Sequence, residues 1–115
     1  MNETDSKLEQ SVIDNAVVMR SMMLTALKLG DLEQFKKYLK RGMDINYVHP
    51  HTGLPMLHMA VGLNHKDIVK FMLENGAKVT PDRNGRWPST VAALCEVDGE
   101  ICDMISDAEA ALGDV

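Results

Sequence analysis

The chain has 115 residues, enough for one domain, and its 45% hydrophobic share argues against wholesale disorder. Its 17 acidic and 12 basic side chains leave a formal charge of -5, which favours solubility and disfavours steering toward nucleic acid or an anionic membrane. Nine methionines against 4% aromatics describe an interior that packs adequately but specifies its geometry less sharply than Leu and Ile do.

Cys95 and Cys102 are the only cysteines, too few for a secreted disulfide scaffold. Seven apart, they could face the same side of helical segments, and nothing in the sequence forces a bridge. No apolar run reaches membrane-spanning length, and the polar start Asn2-Glu3-Thr4-Asp5-Ser6-Lys7 does not look like a signal peptide. The expected setting is cytoplasmic.

From the N-terminus, residues 11–24 carry Val12, Ile13, Ala16, Val17, Met19, Met22 and Met23 and read as mostly helical. The later part of this stretch is expected to be the first helix of a repeated unit, with the start of the chain as an added cap. Residues 26–46 read ALKLGDLEQFKKYLKRGMDIN and residues 60–80 read AVGLNHKDIVKFMLENGAKVT. At an offset of 34, Ala26 meets Ala60, Gly30 meets Asn64, Phe35 meets Val69, Leu39 meets Leu73 and Gly42 meets Gly76. Self-similarity at this period is the signature of a solenoid whose units stack on their neighbours.

Lys36, Lys37, Lys40 and Arg41 cluster in the first copy, with Asp31, Glu33 and Asp44 beside them. A solvated helix face explains that cluster, and contact with an acidic partner is the alternative. In the second copy, Leu57 and Ala60 begin a short helix expected to stop near Asn64, where Gly or Asn tolerates a left-handed helix end. A second helix is expected from about Lys66 to Asn75, with Ile68, Val69, Met72 and Leu73 as its apolar stripe and Gly76 just past its end. Residues 85–105 form a weaker third unit, with Ala92, Ala93 and Leu94 on one helix and Ile101 and Ile105 on another. Glu100, Asp103 and the acidic tail suit an outward-facing end. The domain reading is a capping helix region at 1–20, a repeat domain of about three units at 21–110, and a flexible tail at 111–115.

These units resemble the ankyrin repeat, over residues 21–105 and most closely in the middle third. The second unit has Gly53, then Leu54-Pro55-Met56-Leu57-His58-Met59-Ala60, Asn64-His65, an apolar helix, and Gly76-Ala77-Lys78-Val79-Thr80. The first ends in Gly42-Met43-Asp44-Ile45-Asn46. Pro55 and Met56 replace the family's Thr-Pro, so the usual hydroxyl cap is absent. Trp87-Pro88-Ser89-Thr90 replaces Thr-Pro-Leu-His in the third unit, and residues 96–99 suggest a rearranged or lengthened inter-helix turn. The loop at 46–53 is two residues longer than the one at 80–85.

The resemblance implies an all-α ankyrin solenoid with an N-terminal capping helix, and a non-catalytic function in protein binding. It places partner contacts on the concave face, at His51, Thr52, Leu54, Gly62 and Leu63 in the second unit and at Arg83, Asn84, Arg86, Leu94 and Cys95 in the third. Trp87 is a binding anchor or a space-filler beside repeat two, and Tyr47 and His49 are further contact candidates. Gly42, Leu57, His58, Ala60 and Gly76 are expected to be structural, with the His58 ring bonding a neighbouring turn. The four histidines show no first-shell constellation for a metal, and Ser89, Thr90 and Cys95 have no positioned base. Asn84-Gly85 is a turn without the Lys-Ser/Thr of a phosphate loop. No cofactor, nucleic acid or membrane partner is expected, and the oligomeric state is open. The readings are an adaptor binding a protein or peptide, an inhibitor or immunity-like protein that blocks an enzyme or toxin, and a structural or self-associating repeat unit.

Overall fold

A computed structural model of the chain describes residues 16–112. Residues 1–15 and 113–115 lie outside the description, and with them most of the expected N-terminal cap and the end of the expected tail. The described residues form six α-helices and no strand beyond one isolated bridge, Val48 to Pro55. The all-α expectation holds. The described residues divide into two compact units, one through residue 43 and one from residue 44.

The first unit holds helices α1 (Ala16–Leu29) and α2 (Leu32–Lys40), packed against each other. α1 buries Met19, Met23, Ala26 and Leu27, one stripe at helical spacing. It ends where Gly30 adopts φ +74, and the N–H groups of Gly30 and Asp31 return to the carbonyls of Leu27 and Ala26 at 3.1 and 2.9 Å. Glycine, lacking a Cβ, takes that left-handed turn at the least cost. Asp31 then caps α2, its carboxylate accepting from the Gln34 N–H at 3.2 Å, a contact that typically stabilises a helix by about 1 kcal/mol. Phe35 and Tyr38 form the buried side of α2.

The second unit holds α3 (Met56–Gly62), α4 (Lys66–Glu74), α5 (Pro88–Leu94) and α6 (Gly99–Leu112). α3 packs on α4 and on α5, and α6 packs on α5 and on α4, so first helices stack on first and second on second. Leu57, Ala60, Ile68, Val69, Met72, Ala92, Ile101 and Ile105 make the core. Ala60 and Ala92 are both buried at matching places in α3 and α5. The expected helix pairs appear close to their expected bounds. α6 runs through Leu112, past the expected end of the third unit and into the stretch assigned to the tail.

The α3–α4 and α5–α6 turns share one hydrogen-bond pattern. Asn64 (φ +64) and His65 bond to the carbonyls of Val61 and Ala60, and Glu96 (φ +51) and Val97 to those of Ala93 and Ala92. The third unit then inserts Asp98 before α6, so its turn is lengthened by one residue, as the sequence suggested. Gly42 and Gly76 sit just beyond α2 and α4 with φ +99 and +85. Lys66 pairs with Glu100 at 2.9 Å, joining the starts of α4 and α6. The hydrogen bond to Glu100, and then its charge, raise the Lys66 pKa above the ordinary 10.5.

Candidate functional site

Two turns precede the first helices of the second unit. In the longer one, His49 and Leu54 pair at 2.9 Å, and the Gly53 N–H donates to the His49 carbonyl at 2.8 Å. The turn tip is braced from within. His49 Nδ1 accepts from the N–H groups of His51 and Thr52 at 3.3 and 3.4 Å, and the Thr52 hydroxyl accepts from the Leu54 N–H at 3.2 Å. The rings of His49 and His51 lie 5.7 Å apart. Asp and Ser/Thr residues favour such side-chain-to-backbone closures, and here a histidine does the same.

The shorter turn is organised by Asp82. Its Oδ1 accepts from the N–H groups of Asn84 and Arg86 at 2.9 and 2.8 Å, while its own N–H donates to the Arg86 carbonyl at 2.8 Å. That carbonyl takes a second donor, His58 Nε2 at 2.8 Å. A carbonyl only accepts, so His58 carries its proton on Nε2. His58 is 2% exposed and Asp82 is 7% exposed. Burial alone pushes the Asp82 carboxyl up, but the two backbone donors, with His58 and Arg86 nearby, outweigh it and hold the group below its ordinary range. His58 Nδ1 and Asp82 Oδ2 are buried with no hydrogen-bond partner among the described residues. His58 thus ties repeat two to the turn of repeat three.

Arg83 joins the two turns. Its guanidinium donates to the carbonyls of Pro50 at 3.3 Å and His51 at 2.7 Å, and its side chain lies over Gly53. Gly53 has φ +70, and a Cβ there would fall 2.7 Å from Arg83 Cβ, so glycine is required on two counts. A cleft of about 350 Å³ lies between the turns, lined by His49, Pro50, Pro81 and Arg83 among others.

The structure therefore brings His51, Thr52, Arg83, Asn84 and Arg86 into one surface of adjoining turns, all exposed, with Leu54 half-buried beside them. Leu63 stands at the other end of α3, roughly 10 Å along its axis, and is 43% exposed. Trp87 is the N-cap of α5 and 38% exposed, leaving part of its ring at the surface. Gly62 is half-buried against Val91 and Cys95. Leu57 and Ala60 are core residues.

Sequence reasoning did not single out Glu109, which caps α5 from α6, or the central role of Asp82. An Asp two residues before Asn-Gly is a turn signal that points to Asp82. Asn46 and Asn64 also act across repeats, their side-chain oxygens accepting from the N–H groups of Lys78 at 2.7 Å and Asp98 at 3.0 Å. Cys95 and Cys102 are free thiols. Among the described residues no group of three or more His, Cys, Asp or Glu is placed to hold a metal, and no helix is long and apolar enough to cross a membrane.

Comparison with known proteins agrees with this architecture. Residues 22–112 match the family of ankyrin repeats (3 copies). The human ankyrin repeat domain-containing protein 40 is 35% identical over 73 residues, 63% of this chain and 20% of that protein. The mouse ankyrin repeat domain-containing protein 40 is 35% identical over 52 residues, 45% of this chain and 14% of that protein. The matched stretch thus spans a fifth or less of these relatives' length. Ankyrin repeats are generally protein–protein interaction modules and are typically non-catalytic. On the family match, the helix pairs and their shared turns, this chain belongs to the ankyrin-repeat family.

Proposed function

We propose that this chain is a non-catalytic recognition module of the cytoplasm that binds a protein or peptide partner at the adjoining turns of repeats two and three. The observation that carries this reading is the Arg83 bridge to the Pro50 and His51 carbonyls. It holds two exposed turns in register before any partner arrives, so little backbone ordering is needed on binding. His51, Thr52, Asn84 and Arg86 offer donors and positive charge, and the exposed part of Trp87 offers an apolar anchor at the side. The chain acts as an adaptor in this reading, with Leu54 and Leu63 as flanking contacts.

The test is capture of partners from the source cell, then reconstitution with the purified partner. Arg86→Glu with Trp87→Ala should weaken binding at least about tenfold while thermal unfolding stays cooperative. Arg83 is left intact because it also holds the fold. Unchanged affinity in the folded double variant would reject the turn surface as the binding site.

A further inference from the structure

Charge is unevenly spread over the unit that begins at residue 44. Residues 45–65 and 75–95, which build both turns and the helices α3 and α5, contain one carboxylate, Asp82, against Lys78, Arg83 and Arg86. Asp82 is buried, and its Oδ1 is turned to the N–H groups of Asn84 and Arg86. The three basic side chains are exposed. Among the described residues of this unit, the exposed carboxylates lie on α4, on the α5–α6 turn and on α6, with Asp44 just ahead of the longer turn. A chain of net charge -5 thus keeps one stretch of surface free of exposed acid.

Two guanidinium groups on that surface are not neutralised. Arg83 and Arg86 form no ion pair among the described residues. Arg83 is held in place by the Pro50 and His51 carbonyls, which accept its hydrogen bonds and leave its charge. A guanidinium already fixed loses little side-chain entropy when it meets a carboxylate. Glu109 does reach the start of α5 from α6, but Ser89 occupies both of its oxygens.

Beside Arg83, the cleft of about 350 Å³ has apolar walls from Val48, Pro50, Pro55 and Pro81. Positive charge without a counter-charge and an apolar recess together fit one kind of ligand. We propose that the partner is an acidic, extended peptide segment of another protein, with an apolar side chain in this cleft and carboxylates on Arg83 and Arg86. This rests on the reading of the adjoining turns as the binding surface. Arg meets carboxylates through paired hydrogen bonds, and the complementary fields steer the encounter. Nucleic acid brings no aliphatic side chain for the cleft, and the net charge of the chain repels it.

Selection of a random library of short displayed peptides on the whole chain tests this. Enriched peptides should carry more Asp and Glu than Lys and Arg, beside a large apolar residue. Synthesised and titrated, they should bind Arg86→Glu at least about tenfold more weakly than the natural chain, and Arg86→Gln several-fold more weakly. Both variants should keep cooperative thermal unfolding. High salt should weaken binding to the natural chain more than to Arg86→Gln, a difference that a purely structural Arg86 would not produce.

Enrichment of neutral or basic peptides that lose affinity with Trp87→Ala would overturn the acidic partner and leave the turn surface standing. Peptides indifferent to both Arg86 and Trp87 substitutions would overturn the turn surface, and this proposal with it. Acidic peptides that respond to Trp87→Ala but not to Arg86→Gln also overturn it. So does a selection that enriches nothing, or a DNA oligonucleotide that competes with the selected peptides on equal terms.

Discussion

Glu109, on α6, closes the start of α5: its Oε2 accepts from the Ser89 backbone N–H at 2.8 Å and its Oε1 from the Ser89 hydroxyl at 2.6 Å. Trp87 holds the N-cap position without a side-chain cap, so this carboxylate from the partner helix takes the place of the family's threonine. It also sits at the positive end of α5. Glu109→Ala should lower stability by about 1–2 kcal/mol, read as a reduced urea midpoint with unchanged slope. An unchanged midpoint would mean the cap contributes nothing.

His58 fills core space and donates to the Arg86 carbonyl. His58→Ala leaves a cavity and removes that bond, and should cost about 2–4 kcal/mol. His58→Leu restores the volume and deletes the buried, unpartnered Nδ1, while the Arg86 carbonyl keeps the Asp82 N–H. The leucine variant should therefore be clearly more stable than the alanine one. Equal losses in urea titrations would show that the bond, and not the packing, dominates.

Asp82 makes stability depend on acid. Its folded pKa is lowered, so its contribution is present above the ordinary 3.8 and is lost as pH falls through the folded value. Urea midpoints measured from neutral pH down to about pH 2 should fall less steeply for Asp82→Asn than for the natural chain. Parallel curves would show that Asp82 gains no charged-state stabilisation on folding.

Gly53 and Gly42 separate backbone strain from crowding. Both have positive φ, but nothing lies within 4 Å of a Cβ at Gly42, whereas one at Gly53 meets Arg83. Gly42→Ala should cost about 1–2 kcal/mol from conformation alone. Gly53→Ala should cost roughly 1–3 kcal/mol more, because Arg83 Cβ cannot move without shifting its turn. Thermal midpoints of the two variants decide it, and equal shifts would argue that the turn gives way freely.

The 34-residue offset, the Gly30, Asn64, Gly42 and Gly76 helix ends and the Ala26/Ala60 match made the helix pairs legible, because they record local backbone and packing needs repeated in each unit. The family resemblance implied that the His58 ring bonds a neighbouring turn, and the departure at residues 96–99 suggested a rearranged or lengthened inter-helix turn. These are short-range requirements, so residue type at a fixed spacing is enough to reveal them.

What only the tertiary structure decided is how side chains far apart in sequence meet. Glu109 and Ser89 are 20 residues apart, and Arg83 and His51 are 32 apart. Composition cannot say which of many exposed carboxylates or guanidinium groups turns inward to cap a helix or bridge a loop. Arg83 reads in sequence as a partner contact, and folding also makes it the clamp between two turns. The repeat is written locally, whereas such bonds exist only once stacking has set their distances.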